Sequence, residues 1–400
     1  MNKRIVPILF ALIVVACGTP ATRTAPQTSV PVTAIAATPT RAPLGSTPLP
    51  ANTAPAKAAP TVTRPAANNA PVASGIQLPP GFRAYAYYEG LNRPTSLAFG
   101  SDARLYIAEQ NGHVFSLGDE NGLGVNPREA AQVGGSTLGI AFRPGTRDLY
   151  ISTTGRVYVA RGAVDGSFAE PKIVVQDIPT GRHQNDQIAF TPDGQFFFLG
   201  VGSTCDACNE RDPRSASILR ISADGATQEV YARGTRNPFG VAIHPQTGEL
   251  FSTDNGRDSP SSGVPDELNV IVKDGDYGWP PCWGQGQGSN CQGTIFPVAE
   301  FQEHSSANGM AFYSGSNFPA EYRNNVFVAL WGGNLPLPTV GKRVERVVLT
   351  QPLGQWQGRV STFASGFEHP LAVAVGPRDG ALYVADHGSG VVYRIVWEGG

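Results

Sequence analysis

Charge is scarce in this chain. Only 16% of its 400 residues are Asp, Glu, Lys or Arg, and 30 basic against 32 acidic groups leave a net −2. Gripping polyphosphate needs a surplus of cations, so nucleic-acid binding is excluded as the main function. Long stretches without helix breakers are missing too. The 47 Gly and 34 Pro interrupt the chain throughout, which rules out coiled-coil or extended helical architecture. Acidic residues are absent before Glu89, whereas Lys3, Arg4, Arg23, Arg41, Lys57 and Arg64 all precede Gly75. The remainder carries 24 basic against 32 acidic groups, so a basic tail precedes a mildly acidic body. At 41% hydrophobic residues the chain is not disordered throughout, and its length suits one large domain or two ordinary ones. Composition leaves a turn-rich, β-rich globular protein.

No apolar run is long enough for a settled transmembrane helix. The longest, Ile5 to Ala16, follows Lys3 and Arg4 and fits the core of a signal peptide. Val14-Val15-Ala16-Cys17 resembles the lipobox of bacterial lipoproteins, in which the cysteine is acylated. The expectation is a signal peptide over 1–16 and lipidation of Cys17. The protein would then be exported and anchored to a bacterial membrane surface rather than through it. Residues 17–75 are dominated by Pro, Thr and Ala. They bury too little apolar area to offset ordering entropy, and read as a disordered, semi-stiff linker.

The body, 76–400, repeats one pattern: a short apolar strand, a turn with Asp or Gly, and a second strand ending in Ala, Ser, Thr or Asp. Pro94–Ala108 is the first copy. Others begin at Leu138, Gln187, Pro238, Asn308 and Pro370. Aligned on Phe99, Phe142, Phe190, Ile243, Phe312 and Val375, the copies are spaced by 43, 48, 53, 69 and 63 residues. A four-stranded propeller blade takes about 40–50 residues, so the prediction is an all-β, six-bladed β-propeller of four-stranded blades. The longer late intervals carry inserted loops.

Four cysteines follow Cys17, and an exported chain with an even number is read as disulfide-bonded. Three connectivities exist; locality favours Cys205–Cys208 with Cys282–Cys291. A zinc site is disfavoured because the second pair is too widely spaced for a knuckle.

Several motifs follow one another in order: Gly181-Arg182-His183, Val201-Gly-Ser-Thr-Cys-Asp-Ala-Cys208, Arg236-Asn-Pro-Phe-Gly240, Thr253-Asp-Asn-Gly256, Asp266-Glu-Leu-Asn269 and Asp276-Tyr-Gly-Trp-Pro280. The region 76–398 resembles the glucose/sorbosone dehydrogenase family, which includes the soluble pyrroloquinoline quinone (PQQ)-dependent aldose dehydrogenases. That resemblance implies hydride transfer from a sugar or polyol hydroxyl to PQQ, with Ca²⁺ holding the cofactor. It implies His183 as the base and Arg236 as the cation polarising the quinone. It further implies Asn237, Asn255, Lys342, Arg343 and Arg394 around the cofactor, and the backbone carbonyls of Gly256 and Arg257 on Ca²⁺. Electrons would pass to a membrane acceptor, a quinone or a cytochrome.

The side chains suit those roles. Neutral imidazole is a good base near pH 7, guanidinium offers a fork to carboxylates, and Ca²⁺ takes carbonyl oxygens. Asp266 and Glu267 either shape the site or cap a turn. Tyr277, Trp279, Trp331 and Asn334 serve either packing or sugar stacking. There are departures: Phe239 replaces a polar residue, His369-Pro370 stands where Arg-Pro is common, and 329–338 lacks the usual cations. Two further functions fit a propeller. One is a Ca²⁺-dependent lactonase-type hydrolase using Asp186, Asp254 and Asn255; the other is a non-catalytic propeller binding a glycan or protein.

Overall fold

The computed structural model describes residues 70–259, 263–333 and 340–399. The expected signal peptide, Cys17, most of the linker and Asn334 lie outside the described residues. Short apolar segments alternating in period two, punctuated by Asp-Gly and Pro-x-x-Gly turns, can only form hairpins, and each blade is a run of them. Blade 1 comprises Pro94–Phe99, Leu105–Glu109, His113–Glu120 and Leu123–Gln132. Blade 2 is Thr137–Phe142, Leu149–Thr153, Arg156–Ala160 and Lys172–Val175; blade 3 is Asn185–Phe190, Phe196–Val201, Ser217–Ser222 and Gln228–Arg233. Blade 4 is Val241–Ile243, Leu250–Asp254, Asp266–Ile271 and Ala299–Phe301; blade 5 is Ala307–Phe312, Val326–Leu330, Arg343–Thr350 and Gln357–Ser365. Blade 6 takes Pro370–Val375, Leu382–Asp386 and Val391–Trp397 from the C-terminal end and its fourth strand, Phe82–Tyr88, from the N-terminal side.

The six first strands neighbour one another in a closed ring, so the predicted six-bladed propeller is the fold. The six aligned apolar residues, Phe99 to Val375, each end a first strand. The apolar side chains gather into one cluster per blade–blade interface, six in all among the described residues. Second strands lie between two such clusters and are buried almost throughout, which explains why they read as largely apolar runs, four of the six ending in Glu, Thr or Asp.

Residues 70–75, which composition assigned to the linker, run along blade 6. Ala70 is buried and Val72 bridges Tyr85. The 69-residue interval in blade 4 holds an insertion between its third and fourth strands. There Gly275–Asp276 pairs in parallel with the outer strand of blade 3, and Cys282–Trp283 forms a small hairpin with Gln287–Gly288. Both local disulfides are formed, Cys205–Cys208 and Cys282–Cys291.

Candidate active site

One hydrogen bond recurs six times on the face where the first strands begin. The residue just after each second strand donates its N–H to the carbonyl of a residue that lies one position before the first strand, or four positions before it in blade 4. The pairs are Gln110 to Arg93, Thr154 to Ser136, Gly202 to Gln184, Asn255 to Asn237, Trp331 to Ser306 and His387 to His369, at 2.9–3.2 Å. The fold therefore hands each blade two side chains around the axis. The repeat is legible in sequence once blades are aligned, and it adds Gln110, Gln184 and His387 to the face, which motif reading missed.

In three blades the second strand ends in a carboxylate that ties this turn. Glu109 accepts from Asn92 N–H at 2.7 Å. Asp254 accepts from Arg236 and Asn237 N–H at 2.9 and 2.7 Å, and Asp386 from Glu368 and His369 N–H at 2.7 and 2.6 Å. Burial, and then Glu267 nearby, raise Asp254 to about 8. Asp266 is also buried, raised to about 6, and holds the next loop through Gly256 N–H at 2.8 Å and Ser305 Oγ at 3.0 Å. These acids build loops.

His183 sits at blade 3 with Nδ1 at 3.2 Å from the Ser203 carbonyl and 3.0 Å from Ser203 Oγ, whose own proton goes to the Cys205 carbonyl. A carbonyl only accepts, so the proton resides on Nδ1 and the lone pair on Nε2. Burial, followed by the nearby Arg236 charge, depresses the imidazole to about 4. The result is a neutral base of fixed tautomer. Gly202 makes the arrangement possible, since a Cβ there would lie 2.3 Å from His183 Cβ and 2.6 Å from Asn237 Oδ1. That Asn237 oxygen is buried and has no protein partner.

Arg236 is only 4% exposed and largely committed. Its Nη2 reaches Asp206 at 2.9 Å and Asp258 at 3.2 Å, its Nε reaches the Asp206 carbonyl at 3.3 Å, and its Nη1 reaches the Asn255 carbonyl at 3.2 Å. Of five N–H groups, at most one on Nη1 remains for a ligand. Asp258 is shared with Arg182. Asp206, between the bridged Cys205 and Cys208, also has its carbonyl held by Trp279 Nε1 at 3.1 Å. Asp206 falls within the 201–208 motif, but nothing in the sequence ties it or Asp258 to Arg236, because neither borders that residue.

The remaining candidates divide. Asn255 faces the site but spends its amide on the Ala307 carbonyl at 2.9 Å. Lys342 packs over Gly332 beside Trp331, whose indole stacks on His369 at 4.1 Å. Arg343 is taken up by Glu345 and by Gln302 at 3.1 Å. Arg394 is a correction. It lies at the other end of blade 6, its Nε 2.7 Å from Asp379 in the turn after the first strand, because its position in the third strand pairs with Tyr383 near that turn. Phe239 is buried. Arg257 sends its side chain away to the Pro280 carbonyl at 2.9 Å and over the Trp283 ring. The lactonase set does not converge: Asp254 is occupied by backbone N–H groups, Asn255 by Ala307, and Asp186 is fully enclosed with its carboxyl raised by burial. Among the described residues the one metal-like cluster is Cys205, Cys208 and Glu210, and both sulfurs are in a disulfide.

Residues 91–387 match the family model described as Glucose / Sorbosone dehydrogenase. A structure from Thermus thermophilus, an oxidoreductase described as a glucose dehydrogenase, is 28% identical. It superposes with a TM-score of 0.63 over 79% of this chain and 100% of that one. The PQQ domain of pyranose dehydrogenase from Coprinopsis cinerea shares the fold, with a TM-score of 0.70 at 17% identity over 80% and 97% of the two chains. The aldose sugar dehydrogenase YliI of Escherichia coli K12 is 27% identical over 38% of this chain and 46% of its own length, so that match spans about half of the relative.

Proposed function

The chain belongs to the glucose/sorbosone dehydrogenase family, and from that membership we propose a quinoprotein that oxidises a hydroxyl of an aldose or related polyol. One observation carries the reading: His183 is neutral, half-buried, and locked with Nε2 as its basic atom, while Arg236 and Asn237 stand beside it. A solvated loop histidine would have neither the fixed tautomer nor the depressed pKa.

The residues fit PQQ. Asn237 Oδ1 is a buried acceptor in need of a donor, Gly202 keeps the space beside it open, and Lys342, beside Gly332, precedes the third strand of blade 5. When bound, PQQ would supply the two-electron, hydride-accepting quinone. The chain itself does the rest. His183 Nε2 removes the hydroxyl proton as the C–H bond is broken. Arg236, held in place by Asp206 and Asp258, would offer the cofactor the N–H left on Nη1. Asn237 and Lys342 orient the cofactor. Any Ca²⁺ role falls to the main-chain carbonyls of Gly256 and Arg257, on a loop pinned by Asp266.

Lipidation of Cys17 would hold the enzyme at a membrane surface, near a quinone or cytochrome acceptor. The deciding experiment adds PQQ and Ca²⁺ to the protein, titrates binding, and follows dye reduction with a panel of aldoses and polyols. Tight binding with turnover is the expected result; absence of PQQ binding by folded protein would overturn the reading. In cells, Cys17→Ser is expected to release the protein from membranes.

A further inference from the structure

A cleft of about 490 Å³ opens on the rim of blade 3, outside the His183–Arg236 centre. Small-ligand sites span about 300–1,000 Å³, so its size suits a ligand. The loop that carries Cys208, Asn209 and Glu210 forms one side; the inserted Gly275 strand and Trp279 form the other. Val230, Ala232 and Ala216 add apolar lining, together with Trp279 and with Tyr231, whose ring stands edge-on to Phe198 at 4.9 Å. Ser215 also lines the cleft. It is 4% exposed, and its buried hydroxyl has no partner within the protein.

That hydroxyl needs an occupant that brings its own hydrogen bond. Of the three charged residues that line the cleft, Arg233 and Glu210 are already matched and the third, Asp274, is acidic. Arg233 pairs with Asp276 at 3.1 Å, and Glu210 accepts from Thr204 N–H at 2.7 Å and from its hydroxyl at 2.6 Å. No surplus cation awaits a phosphate or carboxylate. Aromatic side chains lining a cleft beside a buried hydroxyl and the Asn209 amide suit a pyranose, which shows C–H groups on its faces and hydroxyls at its edges.

We propose that this cleft is a second saccharide-binding site, for a neutral sugar unit, walled off from the catalytic centre by Asp206 and Trp279. The choice of a saccharide rests partly on the sugar-oxidising reading above; the cleft's chemistry supplies the rest. The occupant is either the distal unit of an oligosaccharide whose other end reaches His183, or a separate carbohydrate.

Calorimetric titration of the cofactor-free full chain with glucose, maltotriose, cellotriose and xylotriose tests the site. At least one trisaccharide is expected to bind. Tyr231→Ala and Ser215→Val, each checked for an unchanged melting profile, should weaken that binding at least tenfold, whereas His183→Ala should leave it intact. Binding of no saccharide, binding that survives both cleft variants, or binding lost with His183→Ala would overturn the proposal. The two sources separate in steady-state assays of the loaded enzyme. A raised KM for the trisaccharide alone in Tyr231→Ala marks a distal subsite, and unchanged KM values with lost calorimetric binding mark an independent site. Cleft binding without any sugar oxidation would refute the dehydrogenase reading and leave the cleft standing; the converse result would do the opposite.

Discussion

At the scale of single residues, the proposed chemistry turns on the tautomer of one imidazole. General-base catalysis contributes about 10²–10⁴-fold, so His183→Ala should lower kcat by that range while PQQ binding and the melting temperature hold. Because the folded His183 titrates near 4 rather than 6.5, its basic form persists as pH falls. The acidic limb of kcat/KM should therefore lie well below pH 6, toward about 4, and a limb centred at 6.5 would show that His183 is not the base. Gly202→Ala is expected to fold yet lose at least tenfold in activity. Its Cβ would press on His183 and Asn237 at 2.3 and 2.6 Å, and both must move. Kinetics alongside a thermal melt separates this from a stability defect.

At the scale of elements, loops hold these residues in place. The four-residue ring closed by Cys205–Cys208 contributes about 2 kcal/mol by loop-closure entropy, yet it carries Asp206 against Arg236 and the carbonyl that orients Ser203. The double Cys→Ser variant should thus lose far more activity than stability. A second tie, Glu267, joins blade 4 to the disulfide hairpin by accepting Gly284 N–H at 2.6 Å. Burial raises this carboxyl to about 7. A raised carboxyl means the folded state holds a proton that the unfolded state has lost, so stability falls as pH rises from about 4.5 through about 7. Scanning calorimetry from pH 5 to 8 should show that decline, and Glu267→Gln should shrink it.

At the scale of the molecule, closure comes from a strand drawn from the other end of the chain. Phe82–Tyr88 completes blade 6, and its Phe82 packs edge-on against Phe318, Phe363 and Trp397 at about 5 Å. Without it, blade 6 exposes an unpaired edge, and the apolar clusters on both its sides lose members. A chain starting at Gly90 should fail to melt cooperatively, whereas one starting at Ala70 should melt like the full chain.

Local order settled much of this protein in advance. The spacing of apolar strands and Gly-containing turns specified six blades, because period-two alternation and hairpin turns act over a few residues and need no knowledge of the rest. His183, Arg236 and Asn237 stood out as candidates because each sits in a short motif that resembles the family's, and the disulfides were legible because each pair is close in sequence. What the sequence alone left undecided depends on contacts across blades. Arg394 lies in a recognisable strand motif, but only the register of blade 6 turns it to Asp379 and away from the site. Asp206 and Asp258 stand 30 and 22 residues from the Arg236 they hold, and the packing of blade 4 beside blade 3 brings them together. Hydrogen bonding across such intervals is fixed by where strands end in space, and that is decided by tertiary packing.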